Sequence, residues 1–175
     1  MENNHQEQDA NNLKIVRHFY AALAAVIILQ AVPQDTIALA GALIFLVMFI
    51  GAYIYRARAA EDDLVHNHMT YIIRTTWIAG LFFSIGFVAA VAAVYTMADL
   101  GMIHEMMREI QAGQLYTEKQ IEGVLNQAYA VNQKLLLITG TITLGPSVVY
   151  LVIRIARGMA RAMKGYRVAN PRAWF

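Results

Sequence analysis

The sequence predicts an all-α membrane protein of four transmembrane helices, with spans 3 and 4 extended into an outer helical hairpin. Three observations predict it. Four apolar runs, roughly His18–Val32, Thr36–Tyr55, Thr75–Met97 and Leu135–Ala156, divide the chain, and three of them reach the ~20 residues that a helix needs to cross a ~30 Å hydrocarbon core. Hydrophobic residues make up 58% of the chain and charged ones 15%, against about 25% charged in an average soluble domain. The lysines and arginines gather on alternate connections. The expected organisation is a polar cytoplasmic tail over 1–15, a transmembrane bundle over 16–164 that includes the outer hairpin 98–134, and a cytoplasmic C-terminal tail over 165–175.

The first run is the shortest, about 14 uninterrupted residues at Phe19–Val32, a length that also fits a signal-peptide core cleaved near Gln30–Val32. Two features favour retention as a span. The preceding Met1–Asn12 is acidic and amide-rich rather than basic, and the second run follows after only Pro33-Gln34-Asp35-Thr36, so the first two helices read as an antiparallel hairpin. Pro33 is expected to end the first helix, and Asp35 or Thr36 to cap the second by accepting a backbone N–H.

Orientation follows from basic residues outside the spans. Lys14 and Arg17, then Arg56, Arg58 and Arg74, then Arg154, Arg157, Arg161, Lys164, Arg167 and Arg172 fall on one side. Only Arg108, Lys119 and Lys134 fall on the other. Eleven against three places both termini in the cytoplasm with an even number of spans.

The third connection keeps helical periodicity. Leu100, Ile103, Met106, Met107 and Ile110 recur at three- and four-residue steps, as do Ile121, Val124, Leu125 and Ala128, which describes two amphipathic helices. Gly113 suits a left-handed helix end, and Thr117 with Gln120 has the spacing of a capping box. These helices either continue the third and fourth spans as a projecting hairpin or lie on the outer leaflet. The acidic excess of Asp99, Glu105, Glu109, Glu118 and Glu122 disfavours anionic headgroups. Ile103, Met107, Ile121 and Leu125 are the expected partner-docking positions.

Polar residues inside the spans are few. Gly80 and Ser84, and the Thr139–Ser147 stretch with Gly140 and Gly145, permit close helix approach, and Pro146 should kink the fourth span. With no Asp, Glu, Lys or Arg expected deep in a span, ion-coupled transport is disfavoured. The chain has no cysteine, which removes thiolate catalysis, disulfides and iron–sulfur clusters. His66 and His68, after Glu61-Asp62-Asp63, lack both the i, i+4 pair and the Glu-x-x-His repeat of helical metal sites. No metal, cofactor or catalytic residue is therefore expected.

Two segments stand out at the cytoplasmic edges: His68-Met69-Thr70-Tyr71-Ile72-Ile73-Arg74-Thr75-Thr76-Trp77, and Arg154-Ile155-Ala156-Arg157-Gly158 followed by Asn170-Pro171-Arg172-Ala173-Trp174. They resemble the paired signatures of an uncharacterised family of small proteobacterial inner-membrane proteins, a His-x5-Arg-Thr-x-Trp entry and a terminal Asn-Pro-Arg-x-Trp. The resemblance covers roughly Ile54–Phe175 and departs at the outer hairpin, which is longer here. It is distantly similar to the Tic-type import-channel fold of chloroplasts. What it implies is a four-helix bundle in a bacterial inner membrane; it brings no catalytic residues and no pore function.

The residues add roles of their own. Arg154, Arg157, Arg161 and Lys164 recur at steps of three, four and three, a basic stripe for anionic headgroups at the cytoplasmic face, each charge worth about 1 kcal/mol. His68, Arg74 and Trp77 are expected to meet Asn170, Arg172 and Trp174 as a structural clasp or a ligand site, through an Arg74–Trp174 cation–π contact or capture of the terminal carboxylate. Nucleic acid is not an expected partner; membrane lipids and other membrane subunits, or further copies of the chain, are. Three function classes stay open: a non-enzymatic accessory subunit, assembly factor or scaffold; an oligomeric channel or small carrier; and a lipid- or quinone-binding protein or enzyme using His66, His68 and Arg74.

Overall fold

The computed structural model describes residues 2–30, 32 and 34–174. They form five helices, α1 (Glu2–Gln30), α2 (Asp35–Arg58), α3 (Leu64–Met97), α4 (Gly101–Gln111) and α5 (Glu118–Met163), and no strand. All but α4 are long and apolar enough to cross a membrane, α1 over Ala10–Gln30. The fold is therefore all-α with four membrane-compatible helices. With 46 residues, α5 would measure roughly 70 Å at 1.5 Å per residue, about twice a hydrocarbon core.

Several boundaries differ from the sequence expectation. The polar tail and the first span share one helix, α1 being continuous from Glu2; within it, the Asn12 amide donates to both carboxylate oxygens of Asp63 at 3.1 Å. Neither Asp35 nor Thr36 caps α2. The cap is Gln34, extended at φ −142° and without a side-chain cap bond, so Asp35 acts only as a negative charge in the first turn. Pro33 lies outside the described residues. α3 starts a full 11 positions before Thr75, at Leu64, where Asp63 Oδ1 accepts the Val65 N–H at 3.0 Å and so satisfies a free donor of the first turn.

The third span enters the hairpin through a break rather than as one continuous helix. α3 ends at Met97 and α4 restarts at Gly101, because Asp99 competes for the backbone: its Oδ1 accepts the Gly101 N–H at 3.1 Å. Asn132 of α5 holds the break, accepting from Asp99 N and donating to Asp99 O, both at 2.8 Å. Only α5 is continuous from hairpin to span. The turn matches the sequence expectation, with Gly113 at φ +91°, and Thr117 and Gln120 exchanging backbone-to-side-chain bonds of 2.9 and 3.4 Å.

The chain forms two compact units. The first comprises the segments up to Gly80 and from Val148 onward. Its core comes from matched three- and four-residue steps on three helices, Val16, Tyr20 and Leu23 of α1, Val65, Met69 and Ile72 of α3, and Ile155 with Ala162 of α5. α2 joins it through Ala52, a Phe19–Tyr55 edge-to-face pair with centroids 5.5 Å apart, and a Trp77-to-Tyr53 hydrogen bond of 2.7 Å. Arg17 donates to the Met163 carbonyl at 2.7 Å, placing a cation on the negative end of α5.

The second unit is Leu81–Ser147. Met106 and Ala128 are its buried apolar side chains, and Asn132, Thr139 and Ser147 its buried polar ones. α3 and α5 approach closely at Gly86, where an added Cβ would overlap the Thr143 carbonyl oxygen. The expected close-approach positions differ: a Cβ at Gly80, Gly140 or Gly145 would meet nothing within 4 Å. Pro146 lies inside α5, and the neighbouring hydroxyls turn back on their own helix, Thr143 Oγ1 to Thr139 O at 2.8 Å and Ser147 Oγ to Leu144 O at 2.7 Å.

Candidate functional site

The site lies at the C-terminal end of α5, inside the first unit. After Met163 the helix closes on Gly165, at φ +72°, with Gly165 N bonding Ala162 O and Tyr166 N bonding Arg161 O. This reversal sends the segment after Gly165 back along the bundle. α3 fastens it there. Asn67, 5% exposed, accepts from Val168 N at 2.7 Å and donates to Val168 O at 3.0 Å, the two-bond pairing that one strand offers another.

His68 completes the fastening. It is fully buried, its Nε2 is 3.0 Å from the Tyr166 carbonyl and its Nδ1 is 3.0 Å from the Tyr20 hydroxyl. A carbonyl can only accept, so Nε2 carries the proton and, in the neutral ring, Nδ1 accepts from Tyr20. Further along, the Tyr150 hydroxyl donates to the Trp174 carbonyl at 2.9 Å, and Arg161 donates to the Arg167 carbonyl at 3.2 Å.

The returning segment encloses a pocket of about 230 Å³ against α3 and α5, lined by Tyr71, Arg154, Arg157, Arg161 and Asn170 among others. Arg154 is its innermost member. Only 3% exposed, it stacks its guanidinium 4.0 Å over the Tyr71 ring and donates Nε to Thr75 Oγ1 at 3.2 Å, while the Tyr71 hydroxyl donates to the Arg154 carbonyl at 2.9 Å. Its Nη2 is buried with no hydrogen-bond partner. Among the described residues the sole ion pair is Arg108–Glu105, on exposed side chains, and no described carboxylate pairs with Arg154. An isolated buried charge costs several kcal/mol, and a stacked aromatic ring returns only about 2 kcal/mol.

The sequence-predicted residues are thus redistributed. Arg154 is interior while Arg157, Arg161 and Lys164 are exposed, so the four do not form one outward stripe. Of the clasp candidates, His68 meets the returning segment at Tyr166 rather than at Asn170, Asn170 accepts its own turn's Arg172 N–H at 3.2 Å, and Trp174 is held through its carbonyl. Trp77 is 63% exposed and bonded to α2. Arg74 is half-buried with an unpartnered Nε; the arginine stacked on aromatic rings is Arg154, over Tyr71 and, at 5.9 Å, over Tyr150. The terminal carboxylate belongs to Phe175, outside the described residues. His66 and His68 diverge, His66 Nδ1 lying 3.2 Å from the Arg56 carbonyl.

Sequence reasoning missed Asn67, Tyr150 and the interior place of Arg154. Tyr150 and Arg154 are four residues apart, the helical spacing that brings an arginine onto a ring, and that signal was available. On the hairpin, Ile103 and Ile121 are half-buried while Met107 and Leu125 are each 48% exposed. No protein-family model, curated protein or solved structure matches this chain.

Proposed function

We propose that the chain is a non-enzymatic, multi-pass protein of a bacterial inner membrane that serves as an accessory subunit, assembly factor or scaffold of a larger membrane complex. One observation carries the reading: the chain buries only 22, 11, 17 and 11% of the most apolar window of its four candidate spans. Long rows of large side chains, such as Leu39, Leu43, Val47 and Ile50 of α2, stay exposed. In a bilayer such faces meet lipid or other helices, and helix association there rests on close packing. The alternative of a pore lined by the hydroxyls of α5 is disfavoured because Thr143 and Ser147 already donate to their own backbone.

The α4–α5 hairpin supplies the second contact surface in this reading. Its α5 half is continuous with the span and so projects from the bilayer in this reading, and the hairpin offers Met107 of α4 and Leu125 of α5. Purification in mild detergent is expected to bring down a stoichiometric partner, and Met107→Asp with Leu125→Asp to release it while leaving insertion intact. A homo-oligomer that conducts ions in planar bilayers would overturn the proposal in favour of a channel.

Both termini are cytoplasmic in this reading, on the eleven-to-three distribution of basic residues. Single cysteines introduced into the cysteine-free background at Ala60 and Gly113 test it. Ala60 is expected to resist a membrane-impermeant maleimide in intact cells and Gly113 to react; the opposite pattern inverts the topology.

A further inference from the structure

We propose that the pocket around Arg154 is a binding site for a phosphate group, either of a phospholipid headgroup or of a free phosphate ester. The proposal is independent of the scaffold reading. It rests on an incomplete arrangement: an arginine only 3% exposed, its guanidinium fixed by the Tyr71 ring and Thr75, with Nη2 buried and lacking an acceptor among the described residues. Arginine in such a setting is matched by an acceptor with several oxygens, and tetrahedral phosphate meets its fork-shaped donors well.

The surroundings select the charge and the size. Arg157 and Arg161 follow Arg154 by one and two helical turns and line the same pocket, so three arginines and, among the described residues, no carboxylate form its wall. Asn170, on the returning segment, adds a neutral amide to the lining. A volume of about 230 Å³ is room for roughly eight waters, enough for a phosphate with its ester substituent. Because Arg157, Arg161 and Asn170 are exposed, the pocket opens at the surface of the unit, and a headgroup or a soluble ester can enter.

The geometry separates a built site from general attraction of a basic surface for anions. Lys164 and Arg172 carry the same charge on the same end of the molecule yet do not line the pocket. The comparison is therefore between Arg157→Gln/Arg161→Gln and Lys164→Gln/Arg172→Gln, two double variants of equal charge change at exposed positions. Because Arg161 also donates to the Arg167 carbonyl at 3.2 Å, amide exchange at Val168 must be unchanged in the pocket pair for its loss of binding to count; Arg154→Lys, which keeps the charge and loses the fork, is the third variant.

Two arms distinguish the sources. In delipidated detergent solution, inorganic phosphate and glycerol phosphate are titrated by calorimetry. In nanodiscs of phosphatidylcholine with or without phosphatidylglycerol, native mass spectrometry reads the lipid retained by the protein. Saturable binding of the soluble probes identifies a free phosphate ester as the ligand. Retention of phosphatidylglycerol without soluble binding identifies the headgroup. In either case the pocket pair should lose about tenfold in affinity per guanidinium removed, Arg154→Lys should also weaken binding, and the off-pocket pair should stay within about twofold of wild type. No binding in either arm overturns the proposal, as does equal weakening by the two double variants.

Discussion

Gly86→Leu is expected to prevent the second unit from folding, and Gly86→Ala to lower its stability by about 2 kcal/mol. The sign is not obvious, since alanine in place of glycine favours a helix by up to about 1 kcal/mol. The contact decides it. An added methyl at 86 would overlap the Thr143 carbonyl oxygen, with the Thr143 carbonyl carbon 2.9 Å away, and a backbone carbonyl in the middle of α5 cannot rotate aside as a flexible side chain can. Relief requires moving two helices apart, and overpacking of this kind costs about 1–3 kcal/mol or more. Gly123 of α5 supplies the control, because a Cβ there meets nothing within 4 Å; Gly123→Ala is expected to raise the thermal midpoint slightly. Midpoints measured in one detergent by scanning calorimetry compare the three variants. Equal behaviour of Gly86→Ala and Gly123→Ala would remove the close approach at Gly86.

The spans were legible because a membrane crossing imposes one requirement, an uninterrupted apolar length, that hydropathy reads directly. The turn was legible too, since Gly113, Thr117 and Gln120 act through local geometry. What escaped were interactions between residues far apart in sequence. Asn67 grips Val168 across 101 positions, and nothing in its neighbours His66 and His68 announces that a backbone segment returns to it. In the sequence Arg154 has the signature of a surface charge because it stands at the end of an apolar run; the tyrosines at 71 and 150 that receive it inside show their purpose only once α3 and α5 are side by side. The break after Met97 was hidden for the opposite reason: the hydrophobic period continues smoothly through Ala98–Gly101, while Asp99 and Asn132 make the stop through hydrogen bonds that no periodicity registers.

Gly158→Ala is expected to lower the stability of the first unit by about 2–3 kcal/mol, and to do so through Tyr20. A Cβ at 158 would overlap the Tyr20 hydroxyl and lie 2.7 and 2.8 Å from its Cζ and Cε1. Tyr20 is fully buried, edge-on to the His68 ring with centroids 5.6 Å apart and hydrogen-bonded to its Nδ1, so moving the ring gives up both contacts. Displacing it breaks that hydrogen bond, and His68 holds the returning segment at Tyr166; the methyl group therefore loosens a contact on another helix. Losing a buried partner adds about 1–3 kcal/mol to the steric cost. A double-mutant cycle isolates the cause. Tyr20→Leu is destabilising alone, but it removes the hydroxyl and ring carbons that the new methyl meets, so Gly158→Ala in that background should cost less than about 1 kcal/mol. Thermal midpoints of the two single variants and the double give the coupling, and amide exchange at Val168 reports the loosened segment. If Gly158→Ala costs as much in the Tyr20→Leu background as in the wild-type chain, the glycine serves some other contact, and the fastening of the returning segment by His68 does not depend on it.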